Sequence, residues 1–245
     1  GIGPGDAVVV PAFTFFATAG AVARLGAQPI FADIDPQTFN ISPAAVEEIL
    51  HQRHSSASVK AIIPVHLYGQ CAEMDRLMTL SGQYNLGVVE DAAQAALARF
   101  GGRTAGSFGI AGCFSFYPTK NLAGAGDGGM ITTRDAAFAE RLRLLRNHGS
   151  EDKQLFPMVG INSRLDTLQA AILLVKLRHL DEWTRLRRHK AEYYRQAILE
   201  KGLAARDAKF PSKDVPIVLP HQAPERKHVY HQFTIRIEQR DALQK

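Results

Sequence analysis

Cysteine is scarce in this chain and long apolar runs are absent. Its 245 residues include two cysteines, Cys71 and Cys113, too few for a disulfide framework and at a spacing that suits no zinc site. That usage fits a reducing, cytoplasmic setting. No apolar stretch approaches the roughly 18 residues a membrane span needs, so no membrane partner is expected. The first residues, Gly1-Ile2-Gly3-Pro4-Gly5-Asp6, have no initiator Met and neither the basic nor the apolar segment of a signal peptide. They form a Gly/Pro turn that runs straight into an apolar strand, and Arg240 to Lys245 stops inside the start of a helix. A piece of a longer protein is expected.

A nucleic-acid motif is also lacking. The formal charge is +5 and the isoelectric point about 9.3. Much of the excess lies in Arg178, Arg185, Arg187, Arg188 and Lys190, on one helical stretch that carries no nucleic-acid-binding motif. A solvated helix face accounts for them, and nucleic acid is not expected as a partner. At most they supply a weak field that draws in an anionic substrate.

What remains is an ordinary globular composition, 46% hydrophobic and 22% charged. Strand-length apolar runs alternate with helix-period segments. Strands are expected at Ala7–Val10, Pro29–Ile34, Val59–Val65, Gly87–Glu90, Gly112–Phe116 and Gly129–Thr133. Helices are expected at Thr18–Leu25, from Ser42 as N-cap with Pro43 to about Leu50, at Glu73–Asn85 and at Asp135–Arg146. The alternation predicts an α/β fold with a mixed, mostly parallel sheet. After a Gly149–Asn162 loop come helices at Arg164–Lys176 and Leu180–Lys201, then a strand of alternating pattern at Val229–Ile237. Two domains are expected: a large one over 1–178, and over 179–245 a linking helix with the incomplete start of a small C-terminal domain.

Lys120 stands alone in an apolar and small-residue run, Ser115-Phe116-Tyr117-Pro118-Thr119-Lys120-Asn121, with Gly124, Gly126, Gly128 and Gly129 behind it. Lysine is seldom buried without a partner, so an amine placed there is paired or does chemistry. Asp91 follows Val88-Val89-Glu90, at the carboxyl end of a strand, where α/β sheets bind ligands. Taken singly, Asp91 also reads as a helix N-cap, Lys120 as a surface lysine, and Ser115 as a satisfied strand serine. Together a carboxylate, a hydroxyl and an amine at strand-to-loop junctions suit an aldehyde cofactor with a basic ring nitrogen and a phosphate. No metal site is expected. His228 and His231 are three apart on an expected strand and so face opposite sides. His66 and His148 read as structural hydrogen-bonding residues.

At these residues the chain resembles the DegT/DnrJ/EryC1/StrS family of pyridoxal-phosphate-dependent sugar aminotransferases. The matching segments are Pro11 to Thr18, Pro64-Val65-His66-Leu67-Tyr68-Gly69, Glu90-Asp91-Ala92-Ala93-Gln94-Ala95, Gly112 to Leu122, Gly126-Asp127-Gly128-Gly129, Gly160 to Asp166, and His228-Val229-Tyr230-His231-Gln232-Phe233. They span essentially all of the chain in family order.

The resemblance implies a fold-type I transferase with pyridoxal 5'-phosphate as cofactor. It implies that Lys120 carries the cofactor and moves the proton, that Asp91 lies against the ring nitrogen, and that Gln94 bonds the ring hydroxyl oxygen. It further implies that Ser115 donates to the phosphate and that Phe15 stacks on the ring, core packing being the rival role for Phe15. Asn162 would reach the cofactor of a neighbouring subunit, so a homodimer with the site at its interface is implied, with Arg164 nearby; the rival roles for Arg164 are a helix-start ion pair with Asp166 or an interface contact. The implied substrates are a nucleoside-diphosphate keto sugar and an amino donor, usually glutamate, in polysaccharide, O-antigen or secondary-metabolite sugar biosynthesis. Two other roles stay open. One is a sugar dehydratase of the same kind, against which Lys120 argues because those enzymes typically carry His there. The other is a non-catalytic regulatory or sensor protein with the same fold. The chain departs from the family at Ala123, where Gly is usual, and the family's Gly-Thr phosphate segment would lie upstream of Gly1.

Overall fold

The computed structural model describes residues 1–52, 58–152, 154–205 and 208–244. Along the chain come β1 (Asp6–Pro11), α1 (Ala17–Arg24), β2 (Gln28–Ala32), α2 (Pro43–Gln52), β3 (Ser58–Ile62), α3 (Met74–Tyr84), β4 (Gly87–Asp91), β5 (Arg99–Phe100), β6 (Arg103–Thr104), β7 (Ala111–Ser115) and β8 (Gly129–Thr132). Then follow α4 (Ala136–Leu145), α5 (Thr167–Leu177), α6 (Leu180–Glu200), β9 (Arg226–Lys227) and α7 (Arg240–Gln244). A single 3₁₀ turn, Leu67–Gly69, sits between β3 and α3.

The main sheet has the order β2-β1-β3-β4-β7-β8. The first five strands run parallel, and β8 runs antiparallel to β7. The expected mixed, mostly parallel sheet is therefore present. Its middle strands are covered on both faces, which is why β1 reads as an unbroken Ala7-Val8-Val9-Val10 run with every residue buried. Each such valine contributes about 1.5–3 kcal/mol through burial. Helix α3 buries Met74, Leu77, Leu80 and Ser81, a stripe at helical spacing, into the same core. The Ser42 side chain accepts from Ala45 N and opens α2, with Pro43 in its first turn, as the sequence pattern predicts.

The strand expected at Val229–Ile237 does not form. Only β9, just before it, joins a sheet, pairing with β5 in a small β6-β5-β9 sheet. Tyr230 has φ 46°, which no strand tolerates, and one isolated bridge, Val218 to Arg236, marks the later part. The segment bonds instead to the turn at Tyr68–Gly69. The opposite-face argument for His228 and His231 therefore falls with the strand. The short helix α7 occupies the expected helix start, of which Lys245 lies outside the described residues.

Candidate active site

The chain reverses direction across the sheet at β1, with β2 on one side and β3 on the other. Open α/β sheets place ligands at such a switch, beyond the strand carboxyl ends. The loop after β1 holds Phe13 to Phe16, the segment after β3 holds His66 to Tyr68, and β4 ends in Asp91.

Asp91 is no helix N-cap, because turns follow it rather than a helix. Its Oδ1 accepts from Ala93 N at 3.1 Å, and its Oδ2 accepts from the Thr18 hydroxyl at 2.8 Å. The Thr14 and Thr18 hydroxyls are 3.1 Å apart. Thr18 gives its proton to Asp91, so Thr14 is the donor of that second bond. This relay ties the loop after β1 to the carboxylate. Phe15, on that loop, is 74% exposed, so core packing does not explain it.

Glu90, one residue earlier, faces the opposite side of the sheet and is wholly buried. Its Oε1 accepts from Phe108 N and Gly109 N, and its Oε2 from Gly106 N. His66 Nε2 lies 2.9 Å from the same Oε2. His66 Nδ1 accepts from Ala72 N, which leaves the ring proton on Nε2 to donate to Glu90. Burial pushes the Glu90 carboxyl up, but the bonds from His66, Gly109 and Gly106 prevail, and it sits below the ordinary carboxylate range. His66 is thus the structural hydrogen-bonding residue expected.

Gln94 Oε1 accepts from Tyr68 N at 2.6 Å. With its oxygen committed to the backbone, the amide's NH₂ is the half left to meet a ligand. Tyr68 holds a left-handed conformation, φ 58°, to make that bond. Ser115 ends β7 opposite Gly129, and its hydroxyl accepts from Tyr117 N at 3.3 Å.

Lys120 closes a turn through its backbone N to Tyr117 O at 2.9 Å and is partly buried. Burial lowers the amine below the usual lysine value, and the Asp91 carboxylate opposes this. Lys120 and Asp91 therefore share one electrostatic neighbourhood. Burial and the Asp91 and Glu90 charges push the Cys113 thiol up to about 11.

Asn162 is exposed, bridges to Asn147, and accepts from Arg164 N at 3.5 Å, so its bonds stay within its own loop. Arg164 bonds the Asn147 side chain at 2.6 Å, not Asp166 as its helix-start role would have it. Three contributors escaped sequence reasoning: Thr18, Asn121 and His231. Asn121 Oδ1 lies 3.0 Å from His231 Nδ1 across 110 positions, and no local signal reports such a contact. Among the described residues no three His, Cys, Asp or Glu side chains are grouped to hold a metal ion.

The sequence model of the DegT/DnrJ/EryC1/StrS aminotransferase family matches residues 1–245. The pleiotropic regulatory protein of Geobacillus stearothermophilus is 50% identical over 245 residues, which is 100% of this chain and 61% of that protein. The UDP-N-acetyl-3-dehydro-alpha-D-glucosamine 3-aminotransferase of Acidithiobacillus ferrooxidans is 44% identical, over 99% of this chain and 60% of its own length. The crystal structure of S. venezuelae DesV in complex with a ketimine intermediate superposes with a TM-score of 0.88 at 42% identity, over 99% of this chain and 60% of that one. The chain thus spans about three fifths of the length of these relatives.

Proposed function

This chain belongs to the DegT/DnrJ/EryC1/StrS aminotransferase family, and from that membership we propose that its protein transfers an amino group to a nucleotide-linked keto sugar, with glutamate as donor. The family depends on pyridoxal phosphate. The observation that carries the proposal is the amine of Lys120, held below its usual pKa by burial and facing the charge of Asp91. Such tuning is what a nucleophilic or proton-moving lysine needs at neutral pH.

The residues present fit the cofactor chemically. Asp91 is an oriented carboxylate for a protonated ring nitrogen. Gln94 has a free NH₂ for a ring oxygen, Ser115 a hydroxyl for phosphate, and Phe15 an exposed ring for a stacked partner. Asn162 would act on a neighbouring subunit's site. When bound, the cofactor supplies an aldehyde for the amino group and a ring that takes up electrons.

The chain's own residues do the rest. Lys120, less readily protonated than a free lysine, would hold the cofactor through its aldehyde carbon, with the carbonyl oxygen leaving as water, and its amine would then carry a proton to or from the adjacent carbon. Asp91, fixed by Thr18 and Ala93, would set its carboxylate against the ring nitrogen and so favour the protonated ring. The Thr14–Thr18 relay holds the Phe15 loop in register with that carboxylate.

A homodimer is part of the same proposal. Val159, Ile161, Leu168, Leu174 and Val175, around Asn162 and along α5, are 60–95% exposed. Apolar surface of this kind marks an interaction face, and a second copy is the occupant that brings Asn162 to a site.

A regulatory role is the second reading, favoured by the 50% identity to a protein named as a pleiotropic regulator. One experiment separates the two. Full-length protein loaded with pyridoxal 5'-phosphate is mixed with glutamate and the visible band followed. An aminotransferase shifts the band and passes the amino group to a nucleotide keto sugar. A protein whose band never moves with any amino donor is not one.

A further inference from the structure

We propose that His231 is a positioning residue for Lys120, acting through Asn121; the inference rests on the role given above to Lys120. Residues Val229 to Gln232 lie across the Leu67–Gly69 turn. Val229 N donates to Gly69 O at 2.9 Å, and Gln232 N donates to Tyr68 O at 3.3 Å. The Tyr68 backbone N in turn donates to Gln94, so this segment is clamped to one side of the site. On the other side it is clamped to the lysine loop. Asn121 Nδ2 donates to Val229 O at 3.5 Å, and Asn121 Oδ1 accepts from His231 Nδ1 at 3.0 Å.

An amide oxygen only accepts, so His231 Nδ1 carries the proton. Asn121 is buried, 7% exposed, and is the immediate neighbour of Lys120. Its side chain is therefore a two-point strut between the lysine turn and a segment more than a hundred residues away. The strut fixes the backbone from which the Lys120 amine projects. It also holds an imidazole in the amine's neighbourhood that stays uncharged. Burial, then the charges of Lys120 and of Arg187 on α6, push His231 down to about 4. The charge that acts on the amine is that of Asp91 from β4, while Arg187 from α6 acts on His231, which stays neutral between the two.

The test uses full-length protein loaded with pyridoxal 5'-phosphate. Two quantities are read: the pH midpoint of the visible band, and the yield of borohydride-fixed adduct mapped to Lys120. Loss of the strut lets water reach the amine and returns its basicity. His231→Ala and Asn121→Ala are each expected to raise the midpoint by about one pH unit and to cut the adduct yield at pH 7 several-fold. His231→Gln keeps a donor for Asn121 Oδ1 and should stay near wild type. Because two different residues remove the same bond, a misfolded His231→Ala does not end the test. A midpoint unchanged in a folded alanine variant overturns the inference, as does a His231→Gln midpoint displaced as far as that of the alanine variants. A wild-type protein with no adduct on Lys120 overturns the functional reading, and the inference with it, which keeps the two failures apart.

Discussion

His66 Nε2 donates to Glu90 Oε2 at 2.9 Å, with both side chains wholly out of contact with water. Around that bond the two oxygens of Glu90 accept from four donors, three of them backbone N–H groups of the Gly106–Gly109 turn. Next along β4, Asp91 N donates to Pro64 O, and His66 N donates to Asp91 O. The buried pair therefore braces the strand end that presents Asp91 to the site. Two adjacent carboxylates divide the work because a strand sends alternate side chains to opposite faces.

Glu90→Gln should destabilise the fold by about 3 kcal/mol or more. An amide in either orientation turns an NH₂ toward two donors, so two buried bonds become repulsive contacts. The pH dependence follows the sign of the shift. The folded Glu90 carboxyl lies below its unfolded value, so its stabilisation is complete above the unfolded pKa and is lost as pH falls through the folded one. Wild type should lose stability below about pH 4.5 more steeply than Glu90→Gln. Melting temperatures of both across pH 3–7 provide the check, and parallel curves would contradict it.

Both cysteines should be inert in the native protein. Burial, then the Glu90 charge, pushes Cys71 up to about 12, and Cys113 stands at about 11. Only the thiolate reacts, so neither residue should be labelled by a disulfide reagent at pH 8 until denaturant is added. Fast labelling of Cys113 in folded protein would mean that the Asp91 and Glu90 charges do not reach it.

Much of this architecture was legible because parallel strands with both faces covered read as unbroken apolar runs, as in Val8-Val9-Val10. Asp91 could be placed because it closes such a run. Helix α2 announced itself through Ser42 and Pro43, and α4 through its leucines on one face, while the cap by Asp135, which accepts from Phe138 N, shows only in the structure. The two-residue strands β5, β6 and β9 were too short to carry a period. Residues Val229 to Ile237 misled because their alternation is real, yet long-range bonds to Gly69, Tyr68 and Asn121 bend the backbone away from a ladder. For the same reason the sequence raises His231 only as a metal-ligand candidate that its spacing argues against, and not as a neighbour of Lys120.

Lys120→Ala should abolish the borohydride-fixed cofactor adduct and transamination while leaving the fold intact. The amine is held below its usual pKa, so its charged form is disfavoured by folding. That penalty is present at neutral pH and fades as pH rises through the folded pKa toward the unfolded one. Cofactor-free Lys120→Ala should therefore melt no lower than cofactor-free wild type at pH 7. Peptide mapping after reduction tests the chemistry, and an adduct on another lysine would reassign the site.

In the Asp91→Asn protein the cofactor should still bind, but turnover should fall severely. The amide can keep the bond from Ala93 N, so the strand end survives. What goes is the negative charge that the proposed role sets against the ring nitrogen, and each unit of pKa lost there is about 1.4 kcal/mol between protonation states. Single-turnover rates with glutamate measure the loss directly. Near-normal turnover in the Asn variant would leave Asp91 with a structural role alone.

Gly69→Ala should disturb stability and the site together. Gly69 has φ +101°, which an L side chain rarely adopts, and its added Cβ would lie 2.8 Å from Val229 Cγ2 and 2.9 Å from His231 N. The valine methyl can rotate, but the His231 backbone nitrogen cannot yield without lifting the segment off the turn. Backbone strain of this kind costs about 1–3 kcal/mol before the clash is counted. Lifting the segment also pulls His231 from Asn121, so the visible band of the loaded protein should take on the raised pH midpoint expected of His231→Ala. A Gly69→Ala protein with a lowered melting temperature and an unmoved midpoint would show that the segment's packing and the setting of Lys120 are independent.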